Sequence, residues 1–219
     1  MIEVDNLNFS YDRKNKTLEN VNFKIEEGHV YCLLGENGTG KTTLFRCLSG
    51  ELKCNLDFSK YKNDILFIHD KMDFYNHLTG EEYVNLIMYL KNRKLNEKYF
   101  KEMQKRLDMD RKIDSKIFSY SLGMKHKLLL MLALLLDYKY ILIDEPFTAL
   151  DFMSTEIVEE IVKEYASKGN AIVISTHLMD VAQEISDKIL LLNRGKITEV
   201  DNNFNSSKEL KDRLREVWS

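Results

Sequence analysis

A chain of 219 residues, 44% hydrophobic and 31% charged, can bury one full core, whereas two independent folds would be cramped in it. Its 32 Lys and Arg face 35 Asp and Glu, a net charge of −3 without a long basic block, which excludes recruitment of nucleic acid or an anionic membrane surface by bulk electrostatics. The three cysteines, Cys32, Cys47 and Cys54, lack C-x-x-C spacing and read as small core residues of a reduced cytosolic protein.

The first residues, Met1-Ile2-Glu3-Val4-Asp5, have neither a basic start nor an apolar stretch, so no secretory signal is expected. Ile2, Val4, Leu7 and Phe9 predict a strand with one irregular step, and a polar turn follows at 12–16. Val21, Phe23 and Ile25 alternate with polar residues as in a half-buried strand, so the opening is a small antiparallel β element leading into the core. Val30-Tyr31-Cys32-Leu33-Leu34 is a buried strand, and it runs into Gly35-Glu36-Asn37-Gly38-Thr39-Gly40-Lys41-Thr42-Thr43, which fits the phosphate-loop pattern G-x-x-x-x-G-K-[ST]. The helical Leu44-Phe45-Arg46-Cys47-Leu48 completes the strand, loop and helix that the motif requires. Glycines let successive backbone N–H groups point inward, and the helix adds its positive end, so the loop can hold two phosphates. Lys41 would reach the β- and γ-phosphates, and the Thr42 hydroxyl would join Mg²⁺.

After a short, poorly patterned stretch at 50–63, Ile65-Leu66-Phe67-Ile68 predicts another buried strand. Thr79-Gly80-Glu81-Glu82 is a capping box that opens a helix carrying Val84, Ile87, Met88 and Lys91 on neighbouring turns. A second helix is expected over about 96–107, and a third over 122–136 that is almost wholly apolar in its second half. The longest apolar run, 128–136, is nine residues, far below the ~20 needed to cross a bilayer as a helix. With no strand signal between about 71 and 139, the chain divides into a core of 1–70 and 139–219 and an inserted helical subdomain at about 71–138. The core resumes with the strand Tyr140-Ile141-Leu142-Ile143 and a helix with Ile157, Val158, Ile161, Val162 and Tyr165 on one face. A strand at 171–175, a short helix at 178–185, a hairpin pairing 188–193 with 196–200, and a terminal helix with Leu210, Leu214 and Val217 inward complete it. Strands alternating with helices predict an α/β fold with a mainly parallel, doubly wound sheet.

Asp144-Glu145-Pro146 ends the apolar strand with two carboxylates. Asp144 could hold Mg²⁺ through water, and Glu145, one step nearer the γ-phosphate, could polarise an attacking water.

The remaining motifs carry a resemblance to the nucleotide-binding subunits of ATP-binding cassette (ABC) transporters. Tyr120-Ser121-Leu122-Gly123-Met124 stands where that family has its signature, Thr148-Ala149-Leu150-Asp151 resembles its D-loop, Ser175-Thr176-His177 its switch histidine, and Phe9-Ser10-Tyr11 its aromatic adenine platform. The order and spacing of these pieces cover nearly the whole chain. The resemblance implies a phosphate-loop NTPase fold and an ATPase using ATP and Mg²⁺, with Glu145 and His177 in the hydrolytic role. Tyr11 and 35–43 would hold the nucleotide, with Thr42 and Asp144 on the metal. Ser121, Leu122, Gly123 and Asp151 would act in trans on the ATP of another subunit; Ser121 starts a helix, whose N–H groups suit a γ-phosphate. A homodimer or heterodimer driving a separate transmembrane permease is implied, placed by the resemblance on the cytoplasmic face of the membrane, with export as the expected direction and no nucleic acid as partner.

Three departures stand out. Asp70 occupies the usual Gln position, where it is a further candidate metal ligand; the signature carries Leu122 and Met124 for Gly and Gln; and the 50–65 segment is short, so the β subdomain should be trimmed. Two other readings are open. A soluble cassette ATPase acting on nucleic acid or ribosomes usually has two cassettes or a long inserted coiled coil, and this chain has neither. A small-molecule kinase shares the phosphate loop but not the Ser121–Met124 motif.

Overall fold

The computed structural model describes residues 1–12, 16–69 and 72–218. Asp70 lies outside the described residues, as does the side chain of Val217.

Strand β1, Ile2–Phe9, pairs antiparallel with β2, Leu18–Ile25. The register slips between Val4 and Leu7 and again before Phe9. Asn6 and Asn20 sit on the two strands in the left-handed region (φ 56° and 50°), a conformation Asn tolerates better than most side chains. The irregular step expected of the first strand is this distortion. The element is limited to two strands, and the 50–63 stretch after it holds only a short 3-10 turn, Ser59–Tyr61.

The main sheet has six strands: β3, Val30–Leu34; β4, Ile65–Ile68; β5, Tyr140–Asp144; β6, Ala171–Thr176; β7, Lys188–Asn193; and β8, Lys196–Asp201. Their order is β4-β5-β6-β3-β7-β8, parallel throughout except for the β7–β8 hairpin. The parallel strands read as near-continuous apolar runs because both faces are covered. Alternate residues divide between two cores. Cys32, Leu34, Ile141, Ile143 and Ile174 face one side, whereas Tyr31, Leu33, Leu142 and Val173 face the β1–β2 side. A backbone bond from Glu19 N–H to Gly195 O (2.7 Å) ties β2 to the β7–β8 turn.

Helix α1, Lys41–Leu48, follows β3 and packs into the β1–β2 side. Between β4 and β5 come α2, Gly80–Leu90, α3, Glu97–Arg106, and α4, Leu122–Leu136. In α4 every residue of 128–136 is buried, as its composition demands. Helices α5, Phe152–Ser167, α6, Met179–Ile185, and α7, Ser207–Trp218, complete the chain; α5 buries Val158, Ile161, Val162 and Tyr165, and α7 buries Leu210 and Leu214. One expectation needs correction. Cys32 and Cys47 are core residues, their thiols pushed up to about 12 by burial, but Cys54 is only half-buried because its segment runs along the edge of the core.

The capping box that opens α2 is complete. Glu82 N–H donates to Thr79 Oγ1 (3.1 Å) and Thr79 N–H to Glu82 Oε2 (2.8 Å). Replacing Thr79 by Ala removes a cap worth about 1 kcal/mol. In a chain of this size the melting temperature should fall by roughly 2–4 °C. An unchanged melting curve would mean that tertiary packing alone sets the start of α2.

Candidate functional site

The C-terminal edges of β3, β5 and β6 meet at one end of the sheet, where Asp144 pairs in register with Ser175, and Leu34 with Thr176. In parallel α/β sheets this edge is where ligands bind. Gly40, the N-cap of α1, has φ 109°, a conformation closed to L side chains, and it turns the loop into the helix. Gly35 is required by proximity instead: a Cβ there would lie 2.7 Å from Leu192 O.

A cavity of about 520 Å³ opens at this edge, lined by Tyr11, Asn37, Gly38, Gly40, Lys41, Thr42, Thr43, Asp144 and Glu145. Glu36 and Thr39 face a neighbouring hollow on the other side of the loop, with Asn37 and Gly38 shared between the two. Lys41 is only 6% exposed. Its ammonium donates to Gly35 O (2.8 Å) and Glu36 O (3.3 Å) and lies 3.4 Å from Glu145 Oε1. Thr42 Oγ1 donates to Asp144 Oδ2 at 2.6 Å. Asp144 Oδ1 accepts from the Ser175 hydroxyl. Glu145 sits at φ 49°, and its N–H donates both to Ser175 Oγ and to Ser175 O, each at 3.1 Å. Glu145 Oε2 is 3.0 Å from Nδ1 of the half-exposed His177. Tyr11 is 63% exposed, in edge contact with the Phe9 ring, and its hydroxyl lies 3.2 Å from Thr43 Oγ1.

The other candidates lie outside this cavity. Ser121 is the N-cap of α4, its Oγ accepting from Met124 N–H (3.2 Å), and a hydroxyl that accepts can still donate. Leu122 is exposed, and a Cβ on Gly123 would come within 2.6 Å of Ala149 O, so the start of α4 is packed directly on the 148–151 turn. Asp151 caps α5 by accepting from Ser154 N–H (2.9 Å) and Ser154 Oγ (3.0 Å), and the backbone bond foremost holds its carboxyl below the usual range.

Several contributors were not anticipated. Thr17, Arg46, His69 and Thr148 also line the cavity, and Ser175 is bonded to both carboxylate residues. Ser175 and Thr148 lay inside motifs already noted, but Thr17 stands just before β2 with no distinguishing signal.

Mg²⁺ suits the donor set. It prefers oxygen ligands and is usually held by one or two protein groups, with phosphate and water completing the octahedron. Thr42 and Asp144 supply such a pair, and among the described residues no three His, Cys, Asp or Glu side chains converge as a protein cage.

Comparison with known proteins shows the family and the fold. A family profile described as ABC transporter matches residues 18–148. The arginine transport ATP-binding protein ArtP of Haemophilus influenzae is 34% identical over 224 residues, covering 91% of each chain. A Bacillus subtilis protein named as an ABC transporter ATP-binding protein, AlbC, is 30% identical over 217 residues, again covering 91% of both. Among solved structures, an ATP-binding subunit of an ABC transporter superposes with a TM-score of 0.84 at 25% identity, covering 97% of this chain and 98% of the other. The dimeric cassette MJ0796 shares the fold with a TM-score of 0.80 at 24% identity, over 93% of this chain and 100% of that one.

Proposed function

This chain belongs to the ABC transporter family as an ATP-binding ATPase subunit, and from that premise we propose that it closes head to tail with a second such subunit around two ATP molecules and drives a separate permease. The observation that carries the ATPase reading is the convergence of Lys41, the Thr42–Asp144 pair and Glu145 in one cavity. The loop N–H groups and Lys41 hold the β- and γ-phosphates, and Tyr11 stacks on the adenine. Thr42 and Asp144 would hold Mg²⁺, which when bound would neutralise phosphate charge. Glu145 takes the proton of the attacking water, and His177, 3.0 Å from its Oε2, fixes the carboxylate's direction.

The head-to-tail arrangement is supported by the absence of Ser121, Leu122, Gly123 and Asp151 from the lining of their own chain's cavity, while Gly123 abuts the 148–151 turn. In the pair they would complete the partner's site, the α4 N-terminus facing its γ-phosphate. Lys41→Ala and Ser121→Arg should each be inactive alone. Mixed together they should recover roughly a quarter of parental turnover, since half of the dimers are mixed and each of those has one intact site. Failure to recover activity, with mixed dimers detected by differential tagging, would overturn this arrangement.

No described helix is long and apolar enough to cross a membrane. The spanning path is assigned to the permease, which holds this chain at the cytoplasmic face. The 71–138 segment is proposed as a helical subdomain that carries motion to it. A largely apolar groove of about 310 Å³ between the edge strand β4 and helices α2 and α4, lined by Leu66, Met72, Tyr83, Ile87 and Leu129, is a suitable seat for a permease segment. Export is the proposed direction, on the Leu122 and Met124 variations, and cargo movement in vesicles containing the complex tests it.

A further inference from the structure

Ser175 is fully buried at the end of β6, opposite Asp144 in the parallel register. Its hydroxyl has two partners. The O–H donates to Asp144 Oδ1, and the oxygen accepts the Glu145 backbone N–H at 3.1 Å. Asp144 Oδ2 is meanwhile held by Thr42 Oγ1 at 2.6 Å. Both oxygens of Asp144 are thus fixed, one from the phosphate loop and one from β6. Glu145 stands at φ 49°, in a region that non-glycine residues enter only when the surroundings hold them there. The holding group is again Ser175, through both its hydroxyl and its carbonyl.

We propose that Ser175 is a positioning residue whose hydroxyl orients the metal-side carboxylate of Asp144 and, together with its carbonyl, holds the backbone conformation of Glu145, so that the two carboxylates keep a fixed relation. The proposal rests on the ATPase reading above. An apolar side chain at 175 would leave the Asp144 carboxylate held through Oδ2 alone, looser in its rotation about χ2, and remove one of the two acceptors of the Glu145 N–H. Groups that orient a metal ligand commonly change metal affinity or activity by about 10–100-fold when removed.

The test compares the parent with Ser175→Ala and Ser175→Thr, the latter keeping the hydroxyl. Two quantities are read: ATP affinity by calorimetry with Mg²⁺ and with EDTA, and hydrolysis against Mg²⁺ concentration. For Ser175→Ala the affinity in EDTA should match the parent, because the loop and Lys41 are untouched. The gain in affinity on adding Mg²⁺ should shrink, the half-saturating Mg²⁺ should rise about tenfold, and kcat should fall about 10–100-fold. Ser175→Thr should restore most of each. Ser175→Cys keeps the volume and weakens the donor; it should shift the same quantities in the same direction, and it carries the test where the alanine variant does not fold. Overlapping curves for parent and Ser175→Ala would overturn the positioning role and leave the ATPase reading standing. So would an equal loss of affinity with and without Mg²⁺, which is the mark of general loosening. A parent that neither binds nor hydrolyses ATP would instead overturn the reading on which the proposal rests.

Discussion

Glu145→Gln should bind ATP at least as tightly as the parent and hydrolyse it about 10²–10⁴-fold more slowly, the range expected when a general base is removed. The amide has nearly the shape of the carboxylate, so the contact with His177 and the backbone at φ 49° should survive. What is lost is the negative charge that accepts the water's proton. Binding should not suffer, because Glu145 Oε1 lies 3.4 Å from the Lys41 ammonium and competes with phosphate for it. Neutralising the carboxylate frees Lys41 for the nucleotide. Phosphate release and nucleotide affinity measured on the same preparation check both halves. Turnover within about threefold of the parent would remove Glu145 from the base role, since a base contributes far more than that.

Lys41→Ala should do the reverse and abolish binding itself. A lysine donating to two phosphate oxygens forms charged hydrogen bonds of about 1.5–3 kcal/mol each, so affinity should drop by roughly 10²–10⁴-fold. The side chain is buried and already satisfies Gly35 O and Glu36 O, so its removal also leaves two loop carbonyls and the Glu145 carboxylate without a cation. A small loss of thermal stability should therefore accompany the loss of binding. Lys41→Arg tests shape against charge: the bulkier, planar guanidinium cannot follow the same path, and little affinity should return. Full binding by Lys41→Arg would mean that charge alone suffices in this loop.

Features encoded in short stretches were legible from residues alone. The phosphate loop, the Thr79 capping box and the apolar α4 each depend on neighbours within a few positions, so their patterns survive in one dimension. The antiparallel hairpin of β7 and β8 was readable for the same reason, Arg194-Gly195 supplying two positive-φ residues for the turn. The internal ties of the site were not legible. Thr42 and Asp144 are 102 positions apart, and Ser175 is 31 from Asp144, so nothing local says that they touch. Thr17 was missed because it lines the cavity from the position just before β2, where nothing in the neighbouring residues marks it. The need for glycine at 123 was equally invisible, since it comes from the carbonyl of Ala149 on another loop.

That contact between Gly123 and Ala149 bears on timing. Ala149 O stands 2.6 Å from where a Cβ at 123 would be, so the α4 start lies directly against the backbone of the 148–151 turn, and along this edge a shift of one presses on the other. Thr148, on the same turn, lines the chain's own cavity. In the proposed dimer that edge touches its own nucleotide on one side and the neighbour's on the other. Filling one cavity would then set the edge that completes the second, so ATP loading in such a pair should be cooperative, with a Hill coefficient above one in a titration.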